Sequence, residues 1–170
     1  MTTSKLWDYR FLQLAETVSS WSKDPSRKVG SVIVDSKRRV VSLGYNGFPR
    51  GVSDSAERYA DREFKLKLVC HAERNALDNS SASVEGATLY ATLFPCNECV
   101  KSIIQRGISK VVTIVPEPGK NQLFYLPISY MMLQESGVVL HQYDYGLFER
   151  WKNGTQGVDP LDPQVEYLQD

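Results

Sequence analysis

Two short stretches of this 170-residue chain carry side chains able to hold a metal ion and move protons. They are Cys70-His71-Ala72-Glu73 and Phe94-Pro95-Cys96-Asn97-Glu98-Cys99. Cys96 and Cys99 bracket two residues at a turn that opens a helix, so both sulfurs can converge on one ion, as in most C-x-x-C zinc sites. A helix start offers unpaired N–H groups and the positive end of the helix dipole. Both favour thiolate, the form that binds metal. His71 stands at the start of a second helix and supplies a nitrogen. Three protein ligands with one open position is the catalytic arrangement of zinc, whereas four ligands close a structural site. A fourth ligand would have to be Cys70 or His141. Neighbouring residues point to opposite faces of a strand, or diverge by about 100° on a helix, so Cys70 and His71 are poorly placed to share an ion. His141 lies in a distant strand and reads as structural. A thioredoxin-like redox use of C-x-x-C would not call for the His-x-Glu.

Glu73 decides the chemistry. Two residues from His71, it points elsewhere on the helix and need not be a ligand. A carboxylate beside a metal-polarised water can take its proton and pass it on, and zinc lowers the pKa of such a water to about 7. Two thiolates and a neutral imidazole cancel the charge of the ion, so the resulting hydroxide keeps its nucleophilicity. The bland reading of Glu73 is a first-turn glutamate favoured by the helix dipole. H-x-E followed by P-C-x-x-C is the signature of zinc deaminases that act on cytosine or adenine. The expected reaction is hydrolytic deamination: hydroxide attacks C4, while Glu73 protonates N3 and then the departing ammonia.

The elements that must position these residues follow from the hydrophobic pattern. Trp7, Phe11, Leu14, Ala15, Val18 and Ser22 recur at helical spacing, and the helix is expected to stop before Asp24-Pro25. Residues 29–35 and 40–45 read as a hairpin of two strands. Ser53 to Lys67 is charged and reads as a surface excursion with one helix. His71 and Glu73 open a helix that Asn79-Ser80-Ser81 ends. Residues 87–93 form a strand, Asn97 to Arg106 a helix ended by Gly107, and residues 111–115 another strand. A helix through Met131, Leu133 and Glu135 leads to a last strand at Val138-Val139-Leu140. Strands alternating with helices make a layered α/β domain, and the hairpin makes its central sheet mixed. A single domain is expected over 1–150, followed by a polar tail over 151–170.

Bulk properties narrow the partners. Twenty basic and twenty acidic residues cancel, which argues against a nucleic-acid polymer as substrate. No stretch is apolar enough to cross a bilayer, and the N-terminus lacks the apolar core of a signal peptide. Three cysteines, two of them in C-x-x-C, suit metal binding in a reducing compartment better than a disulfide framework. A cytoplasmic location is therefore expected.

From about Leu6 to Leu140 the chain resembles the deoxycytidylate (dCMP) deaminases of the cytidine deaminase superfamily. The zinc stretches are shared across that superfamily. Val29-Gly30 also carries the resemblance, and Ser22-Lys23-Asp24-Pro25, Gly44-Tyr45-Asn46-Gly47-Phe48-Pro49-Arg50-Gly51 and Phe94-Pro95-Cys96-Asn97-Glu98-Cys99 look like the dCMP branch. The resemblance implies a three-layer α/β/α sandwich around a mixed five-stranded sheet, with dCMP converted to dUMP and ammonia. It implies zinc on His71, Cys96 and Cys99, one ion per subunit, and Glu73 as proton shuttle. Asn46 matches the residue that contacts the sugar, Val29 the one that packs on the base, and Ala72 a further substrate contact. The resemblance also implies a homo-oligomer, often a hexamer, activated by dCTP with Mg2+ and inhibited by dTTP. Lys23, Arg27, Gly44, Tyr45, Gly47, Arg50 and Gly51 match the effector- or phosphate-binding loops. Arg74 and Lys120 are further candidates for phosphate contact, each equally readable as a solvated surface charge. Residues for a second, structural zinc are missing, so a single ion is expected. CMP, cytidine, cytosine or guanine are alternative substrates. A deaminase editing tRNA adenosine or single-stranded DNA would want a basic groove with stacking aromatics such as Tyr45, Phe48, Phe94, Phe124 and Tyr125. An intact Glu73 argues against a silent zinc-stabilised binding module.

Overall fold

A computed structural model describes residues 3–115 and 126–153. In chain order the elements are α1 (Thr3–Ser19), β1 (Gly30–Val34), β2 (Val40–Tyr45), α2 (Ala56–Ala60), α3 (Arg62–Leu68), α4 (Ala72–Asn79), β3 (Thr88–Ala91), α5 (Asn97–Gln105), β4 (Lys110–Val115), α6 (Leu126–Glu135), β5 (Val139–Asp144) and α7 (Tyr145–Lys152). The five strands lie in the order β2-β1-β3-β4-β5. β1 is antiparallel to β2 and β3, and β3, β4 and β5 are parallel. This is the mixed five-stranded sheet expected from the hairpin and the alternating elements.

Successive strand residues point to opposite faces, and that alternation divides the core. Val32 and Val34 join Tyr9, Leu12 and Val18 of α1, together with Phe148 of α7, on one face. Ile33 joins Ala76 and Leu77 of α4, Ile103 of α5 and Leu133 of α6 on the other. The result is three layers, α/β/α. Each fully buried aliphatic or aromatic side chain contributes roughly 1.5–3 kcal/mol, so both outer layers are held by burial.

Two glycines set how closely helices approach the sheet. A Cβ on Gly30 would sit 1.9 Å from the carbonyl oxygen of Ala15, so α1 rests directly on β1. A Cβ on Gly44 would sit 2.2 Å from the backbone nitrogen of Ala76 and 2.3 Å from the carbonyl oxygen of Ala72, so α4 rests on β2.

A buried polar cluster ties α1 to the far strands. The Asp8 carboxylate, 2% exposed, accepts hydrogen bonds from Tyr90 Oη at 2.8 Å and Tyr143 Oη at 2.9 Å. It pairs with Lys110 at 3.1 Å and lies 3.5 Å from His141 Nδ1, the structural setting expected for that histidine. Burial pushes the carboxyl pKa up, but His141, Lys110 and Tyr90 together outweigh it and hold the group below its ordinary value. A depressed carboxylate stabilises the fold above its unfolded pKa, near 3.9. The contribution is lost as pH falls through the lower folded value. Asp8→Asn leaves Lys110 without its partner and is expected to cost roughly 2–4 kcal/mol at neutral pH. The gap to wild type should close below about pH 4. Urea unfolding at pH 7 and pH 3 checks this; an equal gap at both values would remove the ionised Asp8 from the account.

Some boundaries differ from the sequence reading. Helix α1 ends at Ser19, not near Ser22, because Ser19 and Ser20 turn their hydroxyls back onto Glu16 and Thr17 carbonyls; such side-chain bonds compete with helix continuation. The excursion over Ser53 to Lys67 forms two helices, α2 and α3, and α3 walls a cavity. Strand β5 runs on to Asp144, and α7 follows it at once. The Asp144 side chain caps α7 by accepting from the Leu147 N–H. Residues 154–170, most of the expected tail, lie outside the described residues. No helix among the described residues is long and apolar enough to cross a membrane.

Candidate active site

His71 and Cys96 are the N-cap residues of α4 and α5, both with extended backbones. Such positions usually go to Ser, Thr, Asp or Asn, whose side chains satisfy the first N–H groups. Here neither side chain caps its helix, which leaves imidazole and thiolate free to face each other. A two-way backbone bridge between Gly47 and Cys70, with N···O distances of 3.1 and 2.8 Å, fixes the entry to α4. It also commits Cys70 to the approach of His71, and Cys70 stands outside the ligand cluster. Cys99 and Glu73 follow inside the first turns of α5 and α4, 4% and 3% exposed.

The donor set fits zinc. His71 Nδ1 lies 3.3 Å from Cys96 Sγ and 3.5 Å from Cys99 Sγ, and the three donor atoms fall within 4.8 Å of one another. Tetrahedral zinc bonded to sulfur and nitrogen has S···N edges of roughly 3.5 Å. A His-Cys-Cys set leaves a fourth position open, and His71 and Cys96 line a cavity of about 270 Å³ together with Glu73.

The thiols divide their proton unequally. A hydrogen bond from Cys99 lowers the Cys96 pKa against the effect of burial, with His71 helping. Cys99 is pushed up, because it donates to Cys96 and is buried beside Glu73. Metal binding needs both sulfurs as thiolates and so releases any proton that they hold. His71 is raised by its contact with Cys96, burial opposing. Burial raises Glu73, with the His71 imidazole pulling the other way. Cys99 Sγ lies 3.7 Å from Glu73 Oε2, so the carboxylate stands beside the ligands.

The cavity collects part of the remaining expected set. Val29, Asn46, Ala72 and Arg27 line it. The Asn46 amide also pins the loop before β1: its Oδ1 accepts from the Val29 N–H at 2.8 Å and its Nδ2 donates to the Arg27 carbonyl at 2.9 Å. Lys23, Gly44, Tyr45, Gly47, Arg50 and Gly51 do not line it. Lys23 pairs with Asp54 at 2.7 Å, Arg50 donates to Asn79 at 2.6 Å, and Tyr45 meets Trp21 edge-on. Arg74 pairs with Asp78. Phe94 lines the cavity and stacks on Tyr130. Lys120, Phe124 and Tyr125 lie outside the described residues.

One wall was not anticipated. Arg62, Lys65, Leu66 and Val69 face the cavity at the i, i+3, i+4, i+7 spacing of a single helix face. That periodicity was the available signal, hidden by the charged residues between. Lys65 Nζ bonds Asp24 Oδ1 and Ser26 Oγ, both at 3.0 Å, clamping α3 to the loop that carries Arg27.

Sandwich and ligand set together define the zinc-binding nucleobase deaminases. Comparisons with known proteins agree. Residues 5–115 match the cytidine and deoxycytidylate deaminase zinc-binding region. The chain is 51% identical over 136 residues to an uncharacterized deaminase in the luxG 3' region of Aliivibrio fischeri, covering 78% of this chain and 90% of that one. It is 45% identical over 112 residues to human deoxycytidylate deaminase, covering 62% of this chain and 63% of that protein. The chain thus spans about three fifths of that relative's length. The crystal structure of dCMP deaminase from cyanophage S-TIM5 in complex with dCMP and dUMP superimposes with a TM-score of 0.66 at 28% identity, covering 84% of this chain and 99% of the other. The chain belongs to the cytidine and deoxycytidylate deaminase zinc-binding family.

Proposed function

We propose that the protein deaminates dCMP to dUMP. The observation that carries this reading is the buried Glu73 carboxylate in the cavity wall, beside His71, Cys96 and Cys99. Zinc held by those three ligands supplies a water acidified to a pKa of about 7. Glu73 takes a proton on its carboxylate and delivers it to N3 of cytosine. It then carries a second proton to the departing amine. The water oxygen ends on C4 and ammonia leaves, so dCMP and water become dUMP and ammonia. Burial raises the Glu73 pKa toward the working range, as a group that both takes and gives a proton requires. Val29 and Ala72 pack against the base, and Asn46 meets the sugar while holding Arg27 and Val29 in place.

Similarity to deoxycytidylate deaminases supports the monophosphate as substrate. The same reading carries activation by dCTP with Mg2+, inhibition by dTTP through the Ser22–Arg27 and Gly44–Gly51 loops, assembly into a homo-oligomer, and work in the cytoplasm. Exposed Ile128, Met131 and Val139 offer apolar surface for assembly. The test is ammonia release from dCMP, CMP, deoxycytidine, cytosine and a tRNA, each alone, with dCTP and Mg2+, and with dTTP. The expected result is a preference for dCMP, raised by dCTP and lowered by dTTP. Inert dCMP would overturn the reading, and indifference to dCTP and dTTP would remove the regulation.

A further inference from the structure

We infer that Arg62, on α3, is the side chain that grips the 5'-phosphate of the nucleotide and makes the site select a monophosphate over a nucleoside; this rests on the reading above. Three cations line the cavity, Arg27, Arg62 and Lys65, against two carboxylates, Asp24 and Glu73. The buried Lys65 is spent on Asp24 and Ser26. Its ion pair cancels Asp24, the one cavity-lining acid besides Glu73 among the described residues. Glu73 belongs to the reacting centre beside the metal ligands. A positive excess remains, with Arg62 exposed and forming no ion pair among the described residues.

Its position along the wall fits the reach of a nucleotide. Val69 is two residues from His71, so it marks the reacting end of α3. Arg62 lies seven residues earlier on the same face, about 10 Å up the helix at 1.5 Å per residue. A nucleotide seated with C4 beside Glu73, and its sugar beside Asn46, extends its phosphate toward that end. Leu66 lies between and offers apolar contact. A guanidinium fork matches phosphate oxygens two at a time, and Arg27, on the loop that Lys65 clamps to α3, lines the same cavity.

The experiment compares dUMP with deoxyuridine binding by calorimetry, and dCMP with deoxycytidine turnover, in wild type, Arg62→Gln, Arg62→Lys and the surface control Lys67→Gln. Arg62→Gln is expected to lose roughly 10- to 100-fold in dUMP affinity and in kcat/KM for dCMP. Deoxyuridine affinity and deoxycytidine turnover should stay unchanged. Arg62→Lys should recover part of the loss, and Lys67→Gln should behave as wild type. Equal losses for nucleotide and nucleoside, or none for either, would overturn the assignment while leaving dCMP deamination in place. A wild type that turns over no cytosine nucleotide overturns the parent reading, and this one with it.

Discussion

Glu73→Gln is expected to bind zinc as wild type does and to lose roughly 10⁴-fold in kcat. The amide keeps the shape of the carboxyl but can neither accept the proton of the water nor pass one to N3 and the leaving amine. Two transfers run through this one group, so the loss should sit at the upper end for general acid–base catalysis. The amide fills the same buried space as the carboxyl, so the variant is expected to fold as wild type does. Cys99→Ser provides the contrast, since it removes a ligand and should lose zinc and activity together. Metal analysis, steady-state kinetics and thermal melts on both variants separate the roles. A Glu73→Gln enzyme with more than about a tenth of wild-type kcat would sink the shuttle assignment.

Gly30→Ala should be among the most damaging of the conservative substitutions. Its Cβ would meet three backbone atoms of α1, the Ala15 oxygen at 1.9 Å, the Ser19 nitrogen at 2.6 Å and the Ala15 carbonyl carbon at 3.0 Å. Backbone cannot swing aside as a side-chain end can, so the whole helix must lift. Tyr9, Leu12, Ala15 and Val18 would then lose packing on one face of the sheet. Overpacking of this kind costs about 3 kcal/mol or more, which in a chain of this size lowers Tm by roughly 6–12 °C. Function should fall as well. Gly30 donates to Thr92 Oγ1 and accepts from the Thr92 N–H, and its neighbour Val29 lines the cavity. Differential scanning calorimetry gives the first number and KM for dCMP the second. A variant that melts within about 2 °C of wild type would mean that α1 yields easily.

The candidate site was legible because its residue types do little else at such spacing. Cys96, Cys99 and His71 point to a metal and come together, with Glu73 beside them in the place that a proton shuttle would take. The strands were legible from β-branched runs such as Val32-Ile33-Val34 and Val111-Val112. What stayed hidden lies where residue type and position carry separate messages. The stretch from Ser53 to Lys67, which holds most of α3, reads as a charged surface excursion because its charges are counted before its periodicity. The extension of β5 through His141, Gln142 and Tyr143 has few strand-forming apolar residues. It is held by Asp8, more than a hundred positions earlier in the chain, and no local pattern reports that partner. Gly44 reads as one more residue of the second strand, yet its missing side chain faces α4 and lets that helix bring His71 and Glu73 against the sheet.

The packing of α1 sets an order of events during synthesis. Tyr9 emerges from the ribosome early, but its ring partners Tyr143, Phe148 and Trp151, at centroid distances of 4.9, 6.0 and 5.1 Å, emerge more than 130 residues later. Helix α1 can settle on β1 as soon as that strand is made, but the side of α1 that carries Tyr9 waits for β5 and α7. That aromatic edge is the kind of surface that chaperones hold and that drives aggregation when synthesis stalls before β5 and α7 are made.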